Sequence, residues 1–150
     1  MNEVELSSEN VEPPSWLPDL RDVTESVARE IGRPEWTVSV LLCDDDRIAE
    51  LNRTYRKTDG PTDVLSFSPE PMDPQSISGD IAISLPTVNR NADEYGVSIK
   101  EEFLRVFVHA LLHLAGYTHH GVDLSTAAAD HPMLGLQERL IATLQKELDS

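Results

Sequence analysis

The stretch HALLHLAGYTHH (109–120) holds four of the chain's five histidines, and the fifth, His131, follows eleven positions later. No histidine precedes position 109. His109 and His113 are four apart, so on a helix they project from one face. Apart from them, residues 106–115 are apolar on every side, which predicts a helix at the centre of a domain. A buried imidazole needs hydrogen-bonding partners that apolar neighbours do not supply. A metal ion uses both side chains at once. Zinc takes histidine nitrogen at about 2.0–2.1 Å, and an i,i+4 pair on a helix is a common way to present two such nitrogens. Gly116 lets the chain reverse just past the helix, so that His119 can fold back as a third ligand. His120 is the main rival for that place. His131, which precedes Pro132 at a helix start, is a more distant one. Three protein ligands with an open fourth position mark a catalytic zinc site more often than a structural one.

The spacing H-x3-H-x2-G-x2-H matches the zinc site of metzincin proteases, where a Glu directly after the first His is the general base. Here that position is Ala110. The ligand geometry is kept and the peptidase's acid–base residue is missing.

These ligands have to be positioned by a chain of 150 residues, most simply one domain, with 39% hydrophobic residues to build a core. The single cysteine, Cys43, excludes an intramolecular disulfide and a cysteine-rich zinc cluster. The amino end is acidic and polar, unlike a signal peptide. No apolar run approaches the roughly 18 residues of a membrane span. The expectation is a soluble cytoplasmic protein without a membrane partner. The net charge of −15 argues against nucleic acid when taken alone, because Lys and Arg drive phosphate binding. The charge is uneven, however. RIAELNRTYRK (47–57) sets Arg47, Arg53, Arg56 and Lys57 against one acid, Glu50, and is the place for a local basic patch.

Residues 1–15, polar and ending in Pro13-Pro14, read as a disordered tail before a domain over 16–150. Val23, Val27 and Ile31 recur at helical spacing, so about 17–31 reads as an amphipathic helix, stopped by Gly32 and Pro34. WTVSVLLCD (36–44) is β-branched and apolar, hence a strand. Asp44 to Asp46 offer an N-cap for a helix bearing Ile48 and Leu51. DVLSFS (63–68) and GDIAIS (79–84) read as strands, and the proline-rich 69–78 between them as a loop. Residues 84–96 carry a cap, an early proline and a terminal glycine, so a helix. Ser98 and Glu101 have capping-box spacing ahead of the histidine helix. Pro132 starts a last helix with Met133, Leu136, Leu140 and Leu144 as its inner stripe.

The same residues carry a family resemblance. HALLHLAGYTHH is similar to the signature of the YbeY family, bacterial rRNA maturation factors regarded as metal-dependent single-strand endoribonucleases. LNRTYRKTDGPTDVLSFS (51–68) resembles the family's other hallmark, GDIAIS its next strand, and MLGLQERLI (133–141) its final helix. The resemblance runs from Trp36 to Ile141. It departs at Thr118, where Asp is usual, at Ala110, where Gly is common, and at Ser68, where Pro is usual. It implies an α+β fold, in which a small mixed sheet and several helices surround the central buried helix that carries the metal ligands. It also implies one zinc ion on His109, His113 and His119, and Arg56 as the functional arginine. The implied activity is hydrolysis of single-stranded RNA in rRNA maturation, at the 16S 3′ end, and in ribosome quality control. RNA and the small ribosomal subunit are the implied partners; DNA is not.

Phosphodiester hydrolysis suits that set. Zinc lowers the pKa of bound water to about 7. A planar guanidinium matches phosphate oxygens, which is the task for Arg56. With Ala110 in place of Glu, proton transfer falls to phosphate oxygens or to the RNA's own 2′-hydroxyl. The competing readings are an atypical zinc peptidase and a non-catalytic ribosome-assembly factor whose metal only staples the fold.

Overall fold

The computed structural model describes residues 2–32, 35–68, 76–116 and 132–149. In chain order these form β1 (Asn2–Ser8), α1 (Leu20–Ile31), β2 (Trp36–Cys43), α2 (Asp45–Arg56), β3 (Val64–Phe67), β4 (Ile77–Ser84), α3 (Leu85–Tyr95), α4 (Ile99–Leu114) and α5 (Pro132–Asp149). The four strands make one mixed sheet in the order β1-β2-β4-β3. The pairs β1–β2 and β2–β4 are parallel, and β3 runs antiparallel to β4. Parallel neighbours need a crossover. Helix α1 supplies it between β1 and β2; α2 and β3 intervene between β2 and β4. The fold is α+β, as the family resemblance implies.

Side chains that cap helices set most of the boundaries. Asp19 accepts from the Arg21 and Asp22 amides at the start of α1, and Asp44 from the Arg47 amide at the start of α2. Ser84 opens α3 and left-handed Gly96 closes it. Ser98 accepts from the Glu101 amide at 3.1 Å, opening α4. The Glu101 side chain, expected to complete a capping box, is bonded to Arg105 and Gln145.

Two readings need correction. The segment read as a disordered tail is described from residue 2 on and is not one there: Asn2–Ser8 is an edge strand in register with β2, from Asn2 beside Trp36 to Ser8 beside Leu42. Val4 and Leu6 do alternate with Glu3 and Glu5, but two apolar residues among acids are a faint period-two signal. Much of the strand's stability comes from the β2 backbone it pairs with, and its exposed acids suit an edge. Beyond it, Val11, Trp16 and Leu17 pack on the core. Strand β4 also begins two residues before Gly79, because Ile77, fully buried, pairs with Trp36. The rest of that loop, 69–75, lies outside the described residues.

Helix α4 is the centre of the molecule. It packs on β3, β4, α1, α3 and α5. Phe103, Phe107, Val108, Leu111, Leu112 and Leu114 are fully buried. Phe103 stacks on Phe107 with ring centroids 6.1 Å apart and meets Trp16 edge-on at 5.7 Å. The helix comes so close to β4 that a Cβ on Gly79 would lie 2.6 Å from Leu114, and the Phe67 carbonyl oxygen of neighbouring β3 would be 2.5 Å away. Leu136, Leu140 and Leu144 form the buried stripe of α5; the Met133 side chain lies outside the described residues.

Candidate metal centre

Helical periodicity sets His109 and His113 side by side, with ring centroids 4.6 Å apart. Both are half-buried, while Ala110, Leu111, Leu112 and Leu114 around them are buried. The helix therefore presents two imidazoles to one opening and hydrocarbon elsewhere. His109 Nδ1 lies 2.8 Å from Oε1 of Gln137 on α5. An amide oxygen accepts only, so Nδ1 carries the proton and the lone pair sits on Nε2. That is the tautomer a zinc ligand bonded through Nε2 requires, with the other ring nitrogen held by an outer partner. The donor set fits zinc in chemistry and spacing.

The described chain leaves the helix as the spacing anticipates. The Gly116 amide bonds to the His113 carbonyl at 3.0 Å, and Gly116 has φ +97°, a conformation glycine adopts without steric cost. His119, His120 and His131 lie outside the described residues. Among the described residues no group of three His, Cys, Asp or Glu side chains is placed to hold a metal. Of the three expected ligands, the described residues therefore contain His109 and His113.

Both histidines open into a cleft of about 900 Å³ between α4 and the segment running from the end of α2 through β3. Arg56, the last residue of α2, lines the same cleft. Its Nη2 donates to the Ser66 carbonyl at 2.6 Å, and its guanidinium carbon lies 5.6 Å from the centre of the Phe67 ring. Phe67 is in turn held edge-on by Tyr55 at 5.3 Å. Strand β3 therefore braces an arginine that remains exposed to solvent. The turn between them is shaped by left-handed Lys57 and Gly60 and pinned by Asn52, whose Nδ2 donates to the Gly60 carbonyl at 3.0 Å. The basic stretch is shorter than its composition implies. Arg47 is ion-paired at 2.9 Å with each of Glu9 and Glu50, which leaves Arg53, Arg56 and Lys57 at the C-terminal end of α2.

Sequence reasoning assigned no role to Glu102, Arg105 and Gln137, which also line the cleft. Burial pushes the Glu102 carboxyl above its ordinary range, against the pull of Arg105 at 3.5 Å. Arg105 grips Glu138 with two nitrogens, at 3.1 and 3.0 Å, which keeps its guanidinium firmly charged. Burial would raise Glu138, but the hydrogen bonds and charge of Arg105 outweigh it and hold that carboxyl below its usual range. One signal was available in the sequence: Glu102 lies seven residues before His109, on the same helical face, in a helix otherwise committed to the core. Cys43 lies elsewhere, buried, its thiol pushed up to about 11 chiefly by burial, so it is no nucleophile near neutral pH.

The family model described as Endoribonuclease YbeY matches residues 3–145. The chain belongs to the YbeY family. Proteins named Endoribonuclease YbeY from Treponema denticola and Moorella thermoacetica are 38% and 46% identical to it, over 140 and 137 residues. These alignments cover 88% of this chain and 87% of the Treponema protein, and 84% of this chain and 85% of the Moorella protein. A solution structure from Thermotoga maritima is 28% identical and superposes with a TM-score of 0.68 over 98% of this chain and 91% of its own. The YbeY match begins inside β1, so the strand missed in the sequence lies within the family's domain.

Proposed function

We propose that this protein is a zinc-dependent endoribonuclease that cuts single-stranded RNA and acts in rRNA maturation at the 16S 3′ end, with the small ribosomal subunit as its setting. The observation that carries the reading is that Arg56 and the His109–His113 pair face one cleft in a chain of the YbeY family. His109 and His113 would hold the zinc through Nε2, with His119 as third ligand. When bound, zinc supplies Lewis acidity toward a phosphoryl oxygen and a nucleophile at neutral pH. Arg56 binds the phosphate at the cut and stabilises charge on its non-bridging oxygens, as a planar fork of donors does. Its carbonyl and ring contacts with β3 keep that fork oriented before substrate arrives. Ala110, buried beside His109, offers no carboxylate for peptide hydrolysis, which favours RNA over protein as substrate. Among the described residues no helix is long and apolar enough to cross a membrane.

A chelator-controlled cleavage assay tests this. A single-stranded fragment spanning the 16S 3′ end should be cut by the zinc-loaded protein, spared after chelation, and cut again on adding zinc back. The same sequence in duplex form, and casein, should survive. Cleavage that persists without metal, or cleavage of casein, contradicts the proposal. Unfolding on chelation without any cleavage beforehand would instead indicate a metal staple.

A further inference from the structure

The side chains between α4 and α5 form a line in which each hydrogen bond has only one possible direction. Arg105 has donors alone, and they go to both oxygens of Glu138. Glu138, kept ionised by that grip, can only accept. The Gln137 amide nitrogen donates to Glu138 Oε2 at 3.3 Å, so the amide oxygen must point the other way, toward His109 Nδ1 at 2.8 Å. Flipping the amide would set its oxygen against a carboxylate with no proton between them. Gln137 is buried, which makes that mismatch costly. Arg105 is itself anchored by Glu101 at 3.4 Å and Glu102 at 3.5 Å on its own helix.

We propose that Gln137 is a positioning residue for the metal centre: the line Arg105–Glu138–Gln137 fixes the His109 tautomer that directs Nε2 to the metal. The inference rests on the zinc reading above and extends it to α5, an element that carries none of the expected ligands. It assigns the adjacent Gln137 and Glu138 a joint role, because the carboxylate sets the amide's orientation and the amide sets the imidazole's.

The test uses the metal-free full chain, labelled with ¹⁵N at histidine, at a pH where His109 is neutral. Long-range proton–nitrogen NMR should find the His109 proton on Nδ1 in the wild type and a tautomer mixture in Gln137→Ala and Glu138→Gln. Zinc affinity, read by competition with a chelator, should fall about 10–100-fold in Gln137→Ala and less in Glu138→Gln. Gln137→Glu, an acceptor whichever way it turns, should restore it. Wild-type protein with the proton on Nε2 overturns the inference, as does Glu138→Gln with wild-type tautomer and affinity. The latter variant changes an exposed residue, so it decides the matter even where Gln137→Ala does not fold. A wild type that takes up no zinc sinks the functional proposal, while its tautomer still decides this one.

Discussion

The two walls of the cleft are built in opposite ways. The α4 wall is an outgrowth of the core. Its histidines sit between fully buried leucines, its helix touches most of the other elements, and its polar side chains are tied to α5. The Arg56 wall is an exposed helix end, a turn with two positive-φ residues, and a four-residue strand. One wall gains its geometry from packing, the other from a few local hydrogen bonds. A metal ligand tolerates little displacement, so it suits the packed wall. A phosphate-binding arginine must be reached by a long polyanion, so it suits the exposed one. Changes to the α4 wall should therefore alter metal binding and stability together, and changes to the Arg56 wall should alter turnover alone.

The largest expected effect is at His113. His113→Ala should abolish stable zinc binding and RNA cleavage together, measured by metal analysis and gel assay on one preparation. Retained stoichiometric zinc would remove His113 from the ligand set. Next comes Arg56→Ala, expected to lower turnover on the order of 100–1000-fold, the cost of losing one preorganised donor. Its zinc content and melting temperature should match the wild type, because an exposed side chain contributes little to stability. Arg56→Lys keeps the charge but not the fork and should stay badly impaired. Unfolding or zinc loss in either Arg56 variant would erase the distinction between the walls.

Gly79→Ala probes the packed wall from beneath. Its Cβ would collide with the Phe67 carbonyl and with Leu114, one residue after His113. Overpacking of this kind costs about 1–3 kcal/mol, to be read from denaturant unfolding. An unchanged midpoint would mean that the sheet and α4 separate easily, contrary to the packing described.

The smallest effect is a pH slope. Burial raises the Glu102 carboxyl above its unfolded value, so between the two values the folded state binds more protons than the unfolded one. Stability from this group falls as pH rises through that window and is recovered on acidification. Glu102→Gln should flatten the stability–pH curve there. A slope unchanged by the substitution would show that Glu102 does not titrate in the raised range.

What the sequence made legible follows the same division. Periodicity located α4, and the four-residue spacing put His109 and His113 on one face, because both are properties of a single helix. Arg56 and its turn were legible as a short motif that folds locally. β1 was missed because its pairing partner begins 34 positions away, Trp36 beside Asn2, and its own alternation is nearly masked by acids. Gly79 was readable as part of a strand, but its close approach to Leu114 depends on a helix far along the chain. The Arg105–Glu138 contact spans 33 residues and His109–Gln137 spans 28, so neither has a local pattern. Local order could be read from the chain; side chains brought together by helix–helix packing could not.

The central claim is that the packed wall holds zinc while the exposed wall holds phosphate. The most direct measurement is a crystal structure of the zinc-loaded protein with a non-cleavable single-stranded RNA, with anomalous data collected at the zinc edge. The account predicts one zinc peak about 2.0–2.1 Å from Nε2 of His109 and of His113, a third ligand from His119, and the Arg56 guanidinium on the phosphate at the cut. A zinc peak away from that pair, or an RNA phosphate held in the cleft without Arg56, would contradict it.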